Sequence, residues 1–333
     1  MGSIRRRGAA MLTAAAAVVL CAALLTGGGA SAAGLPGVAG ARAAASGGTW
    51  GKAEEVPGTA ALNTAGAAAI NSVSCASAGN CSAGGGYYGG ASGDQAFVVS
   101  EVKGTWGKAE EVPGTAALNT GGAAAINSVS CASAGNCSAG GNYYGDGSGD
   151  QALVVSEVKG TWGKAEEVPG TAALNAGGDA GVNSVSCASA GNCSAGGDYY
   201  VNTSGVSGFQ AFVVSEVKGT WSKAEEVPGT AINADGGAEV NSVSCASAGN
   251  CSAGGQDNGA SGVSGFQAFV VTEVKGTWGK AEEVPGMAAL KAGGSAAISS
   301  VSCASAGNCS AGGDYYVNTS GDGENAFVVS EVR

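Results

Sequence analysis

The 333-residue chain holds 62 glycines, eleven cysteines and no histidine, and its formal net charge is −11. Without imidazole, Ser-His-Asp and Cys-His catalysis fall away, and so do most transition-metal sites. Strong acidity repels phosphate backbones and anionic lipid, so neither nucleic acid nor a membrane surface is expected as a partner.

The N-terminus reads as an export signal over residues 1–32. Arg5, Arg6 and Arg7 form a basic start, Ala9 to Leu25 is an uncharged apolar run, and Ala30-Ser31-Ala32 supplies the small residues that precede cleavage. Cys21 sits in the apolar run and is passive there. An Ala/Gly-rich linker, residues 33–47, follows, and residues 48–333 are a repeat array. Cleavage removes three arginines and no acid, which leaves the mature chain more acidic still. A secreted, extracellular monomer is expected, free of the membrane once cleaved.

Within the array, tryptophans fall at 50, 106, 162, 221 and 278, a period of 56 to 59 residues. A repeat this long is one supersecondary unit rather than one coil of a β-helix. The first unit offers four strands in order. INSVSCA (70–76) alternates, and NCSAGGGYY (80–88) follows a three-residue turn. AFVVSEV (96–102) is the strongest strand, and Lys103-Gly104 turns it into TWGKAEEV (105–112), which Pro113-Gly114 ends. No segment keeps a helical period. Four antiparallel strands repeated radially form a β-propeller blade, so the fold class is all-β, with five four-stranded blades.

Ten cysteines recur as the pairs Cys75-Cys81, Cys131-Cys137, Cys187-Cys193, Cys245-Cys251 and Cys303-Cys309. In an exported chain an even set at fixed spacing reads as disulfides, each spanning the turn between the first two strands. The array opens on GTWGKAEEVPG (48–58) and ends on AFVVSEVR (326–333), so the last unit lacks its fourth strand. Thr49 to Val56 is expected to supply it and to close the ring, which would remove an open sheet edge.

SEVKGTWGKAEEV (100–112) resembles the Asp-box hairpin of sialidase-type propellers: Ser100, Gly104, Thr105 and Trp106 match in kind, the Asp is absent and the spacing is one residue short. The resemblance implies a turn between the third and fourth strands. It does not extend to sialidase activity, because Arg42 and Arg333 are the only arginines of the mature chain and a carboxylate-binding arginine cluster cannot be built from them. The whole repeat, SCxSxxxCxAGG through FVVSEV to GTW, resembles a group of secreted bacterial repeat proteins, which implies no particular function.

The glutamate pairs, such as Glu110-Glu111, recur identically in all five units and read as a charged outer edge rather than one active site. The turns after strands one and three are nearly invariant, whereas the connections after strands two and four vary between units. Antiparallel strands put the two sets at opposite ends, so one face is constant and the other diversified, and the diversified face is the functional candidate. It carries Tyr87-Tyr88, Tyr143-Tyr144, Tyr199-Tyr200 and Tyr315-Tyr316, with Asp146, Asp150, Asp257 and Asp322 nearby. Tyr beside Asp can stack on and hydrogen-bond a sugar ring, or one Tyr of each pair packs between blades while the other covers the strand end. Asp146-x-Ser148-x-Asp150 alternates like a calcium loop without the rest of that motif, so no metal is expected. No cofactor and no catalysis are expected. The function reads as a non-enzymatic binding module for a glycan or cell-envelope polymer; a carbohydrate-active enzyme using loop carboxylates and an inert structural module are the alternatives.

Overall fold

A computed structural model describes residues 49–331 except 65, 146, 148, 204–205, 231–236, 260–264 and 318–322. The expected signal (1–32) and linker (33–47), with Asp146 and Asp322, lie outside the described residues.

The alternation and turns of the first unit produce the expected meander. Strands β1 (Ala68–Ser77), β2 (Asn80–Tyr88) and β3 (Asp94–Val102) pair in sequence order, all antiparallel. The fourth strand is not continuous. It breaks into β4 (Thr105–Trp106) and β5 (Glu110–Glu111), both paired with β3. The break is a shift of register between Glu101↔Trp106 and Val98↔Glu110. There the chain bulges, and the Ala109 N–H turns away to donate to the Pro57 carbonyl (2.7 Å). Lys103 (φ 52°) and Gly104 (φ 80°) make the tight turn before β4, the left-handed region that glycine enters without a Cβ clash.

The second unit repeats this with β6 (Ala125–Ser133), β7 (Asn136–Gly145), β8 (Gly149–Val158), β9 (Thr161–Trp162) and β10 (Glu166–Glu167). The third has β11 (Ala180–Ser189), β12 (Asn192–Thr203), β13 (Val206–Val217), β14 (Thr220–Trp221) and β15 (Glu225–Glu226). The fourth has β16 (Glu239–Ser247), β17 (Asn250–Asp257), β18 (Gln267–Val274), β19 (Thr277–Trp278) and β20 (Glu282–Glu283). The fifth is a three-stranded sheet, β21 (Ala296–Ser305), β22 (Asn308–Tyr316) and β23 (Glu324–Ser330). All five expected disulfides are present, each joining directly opposed residues of the first two strands.

The expected ring closure is corrected. Residues 49–56 form no strand, and among the described residues β23 has no outer partner. The reason lies in how an outer strand is held. Even in complete blades it keeps only two short pairings with its own sheet, while its end is anchored on the next blade. Pro57 bonds to Ala109 in the first blade as Pro113 does to Ala165 in the second (both 2.7 Å). The segment that leads into Pro57 is therefore mounted on blade one.

The core lies between blades rather than inside one sheet. Ala96 to Val99 are buried on both faces because blade two covers one side, with Val98 packed against Ile126 and Val129. That explains why the third strand is continuously apolar instead of alternating. Each inner strand bulges by one residue, between Ile126 and Ser128 in β6 for example, and the extra Asn127 donates across the junction to the Val182 carbonyl (3.1 Å). Two serines of each inner strand reach the next: Ser72 and Ser74 accept from the N–H groups of Val129 and Cys131. A buried glutamate then locks the first three junctions further out; Glu331, its counterpart in blade five, is exposed and accepts from its own blade's Cys309 N–H. Ser82 (3.2 Å) and Ser100 (2.9 Å) both donate to Glu157, and the same clasp joins Ser138 and Ser156 to Glu216 and Ser194 and Ser215 to Glu273.

The disulfides add local stability that is testable. Closing a seven-residue loop contributes about 2 kcal/mol in the chain-entropy account. The double variant Cys187→Ser/Cys193→Ser should therefore lose about 2 kcal/mol in urea melts. An unchanged midpoint would show that the β11–β12 pairing holds the turn unaided.

Candidate functional site

The diversified face is assembled from the connections after the second and fifth strands of each blade. A single turn, α1 (Thr59–Leu62), follows Pro57-Gly58; after Pro113-Gly114 its equivalent, α2 (Thr115–Leu118), ends at Asn119, whose counterpart after α3 (Thr171–Leu174) is Asn175. Asn119 staples two blades together. Its amide donates to the Asp94 carbonyl (2.9 Å) and Gln95 Oε1 (3.1 Å), and its Oδ1 accepts from the N–H of Ala123 and of Tyr144. Asn175 repeats the pattern with Asp150, Gln151, Asp179 and Tyr200.

This staple frames two like crevices. One, of about 520 Å³, is lined by Tyr88, Gln95, Glu111 and Asn119; the other, of about 600 Å³, by Tyr144, Gln151, Glu167 and Asn175. Glycines and other small residues make most of the rest of each wall, and Gly121 lies so close against the Tyr144 ring that a Cβ there would collide with it. A third crevice, of about 510 Å³, opens beside the inner strands of blades one and two and is lined by Asn71, Asp94, Asn142 and Asp150.

The paired tyrosines divide in role. Tyr87, Tyr143 and Tyr199 are buried in the core, and Tyr87 and Tyr143 form part of the crevice walls. The Tyr87 hydroxyl donates to Glu111 (3.1 Å) and that of Tyr143 to Glu167 (3.2 Å), while Tyr199 bonds to Glu226. Burial first, then the charge of Glu111 and the hydrogen bond to it, push the Tyr87 hydroxyl up to about 12. Burial and their glutamates raise Tyr143 and Tyr199 in the same way. Tyr88 and Tyr144, about two-fifths exposed, present their rings to the crevices. Tyr200 is half-buried, stacked edge-on against Phe209 at 5.1 Å and hydrogen-bonded to Ser207 (3.1 Å). The glutamate pairs divide too: Glu110 is exposed, as an outer edge requires, but Glu111 turns inward to hold Tyr87.

Blades four and five depart from this pattern. Asp257 stands where blade one has Tyr87; it accepts from the Gly259 N–H (2.6 Å), and burial raises its carboxyl. Tyr315 and Tyr316 are half-buried. After α4 (Met287–Lys291) the staple asparagine is replaced by Lys291, a buried ammonium that donates to the Gly294 carbonyl (2.9 Å) and that burial pulls down from its ordinary value. Sequence reading missed Gln95, Asn119 and Lys291. Their signal was present: TAALN recurs in the early linkers and becomes MAALK in the fourth.

No protein-family model matches the chain, and no curated protein matches it either. Among solved structures it is similar to a protein of unknown function from Dyadobacter fermentans, at 12% identity and a TM-score of 0.41, covering 80% of this chain and 95% of that one. An α-L-arabinofuranosidase from Fusarium graminearum aligns at 11% identity and a TM-score of 0.39, over 76% of this chain and 72% of that one. A sialidase from Streptococcus pneumoniae aligns at 14% identity and a TM-score of 0.35, over 67% of this chain and 33% of that one. Likeness this remote assigns no activity.

Proposed function

We propose that this is a secreted, non-enzymatic binding protein that holds a polyhydroxylated polymer, such as a cell-envelope glycan, at its diversified face. One observation carries the reading: adjacent blades build the same Tyr-Gln-Glu-Asn crevice on a rigid scaffold. A repeated shallow site suits a repeating ligand, because weak contacts at several blades combine. Partly exposed tyrosines offer ring faces for sugar stacking, and the acidic surface favours an uncharged or cationic polymer over an anionic one.

Binding of the mature protein to a glycan array should be lost with Tyr88→Ala/Tyr144→Ala. Each ring is worth about 1 kcal/mol, roughly fivefold per site, and the loss multiplies across sites. Tyr143 would be a misleading target, since its removal opens the core. A folded mature protein that binds nothing on the array would end this reading.

A second reading rests on Asp94 and Asp150, which line one crevice from neighbouring blades. Glycoside hydrolysis uses two carboxylates about 5–10 Å apart. Release of reducing sugar from a bound polymer, abolished by Asp94→Asn, would favour an enzyme instead.

A further inference from the structure

The two outermost blades expose the two halves of a junction that the molecule completes elsewhere. On blade one, Val73 is 55% exposed, whereas its counterparts Val129, Val185 and Val243 are each 6% exposed beneath the preceding blade. Glu101 occupies the position of Glu157, Glu216 and Glu273, yet it is only half-buried, and among the described residues no serine reaches it. On blade five, Val328 is 88% exposed, whereas Val98, Val154 and Val213 are fully buried. Ser310 and Ser330 bond to each other (2.9 Å), as Ser82 and Ser100 do, but among the described residues no glutamate receives them. Glycine shows the same vacancy. A Cβ on Gly84 or Gly254 would lie 2.6 Å from the isoleucine of the next blade, whereas at Gly312 the nearest atom is its own blade's Phe327 carbonyl, at 3.4 Å.

We infer that blade five docks on blade one of a second copy of this chain, head to tail, with Glu101 of that copy clasped by Ser310 and Ser330. The apolar, serine and glycine features of the two faces match those of the internal junctions, so docking repeats an interface already built within the chain. Blade one also brings its mounted 56–62 segment, anchored through Pro57 on Ala109. That places Ala53 to Glu55 beside β23, which has no outer strand among the described residues. The two faces differ, so the contact is heterologous and the assembly extends or closes into a ring of copies. One junction departs from the rule: Ser299 stands where Asn71, Asn127, Asn183 and Asn241 reach across. The intermolecular junction therefore has one hydrogen bond fewer and dissociates more readily than the internal ones.

Sedimentation velocity of the mature chain from micromolar to millimolar concentration tests this. The wild type should form concentration-dependent species larger than a dimer. Gly312→Leu blocks the blade-five face and Glu101→Arg the blade-one face; each alone should remain monomeric with an unchanged melt. Mixed, they retain one good face each and should form a 1:1 dimer and nothing larger. A wild type that stays monomeric throughout overturns the inference. So do variants that assemble like the wild type, and a mixture that does not dimerise.

Discussion

Gly141→Ala should be among the most damaging single-methyl substitutions in the chain, costing about 3 kcal/mol or more. Gly141 opposes Ile126 at the bulge of β6, where the inner strand carries one residue more than its partner. There the two backbones approach so closely that an added Cβ would fall well inside contact distance of the Ala125 carbonyl oxygen. A side chain could rotate away from such a clash, but a carbonyl in a paired strand cannot. Relief requires undoing the bulge, and the bulge is what aims Asn127 at the Val182 carbonyl of the next blade. The substitution thus damages a sheet and a junction together. Gly140→Ala, one residue earlier, meets the buried side chains of Val182 and Val185 rather than a paired carbonyl, and should cost less, about 2 kcal/mol. Gly312→Ala, with no neighbouring blade over it, should be close to neutral. Urea melts of the three variants check the order. Equal costs at 141 and 312 would show that the close approach at the bulge is not a constraint.

These glycines show what was legible in the sequence and what was not. Strand order, the constant and diversified faces and the disulfides follow from local pattern: alternation, turn residues and paired cysteines each act within a few residues. The AGG triplet was visible as well, but its meaning was not, because Gly140 answers to Val182 and Gly141 to Ala125. The outer strand was misjudged for a related reason. TWGKAEEV reads as one strand locally, and only the Pro57 carbonyl of the preceding segment explains why it breaks at Ala109. At the candidate site the tyrosine pairs stood out by composition. Which ring is buried depends on strand alternation against the neighbouring blade, and that sends Tyr87 inward to Glu111 and leaves Tyr88 at the surface. Asn119 escaped notice because a stapling amide looks like any polar linker residue until both of its partners are in place.

Glu216 should make the protein less stable as pH rises through the range just above 4.5, opposite to the usual behaviour of a paired carboxylate. Its side chain is 2% exposed between blades two and three. Burial raises its pKa above the ordinary value of 4.5; the hydrogen bonds from Ser156 and Ser138 oppose the rise and the charge of Glu166 adds to it. In the window between 4.5 and the native value the folded chain holds a proton that the unfolded chain has released. The stabilisation is then complete below the window and lost as pH rises through it. Glu216→Gln keeps the shape and presents an oxygen to one serine without ever ionising, so it removes this dependence. The stability of Glu216→Gln relative to wild type should therefore climb with pH across the window and level off above it. Glu216→Ala behaves differently: it strands the hydroxyls of Ser138 and Ser156 and leaves a void between blades, a loss of about 2–4 kcal/mol at neutral pH. Urea melts of the three proteins from pH 4 to 8 separate the two effects. A Gln-minus-Glu difference that stays flat with pH would mean that Glu216 ionises as freely in the folded chain as in the unfolded one, and that the clasp is held by shape alone.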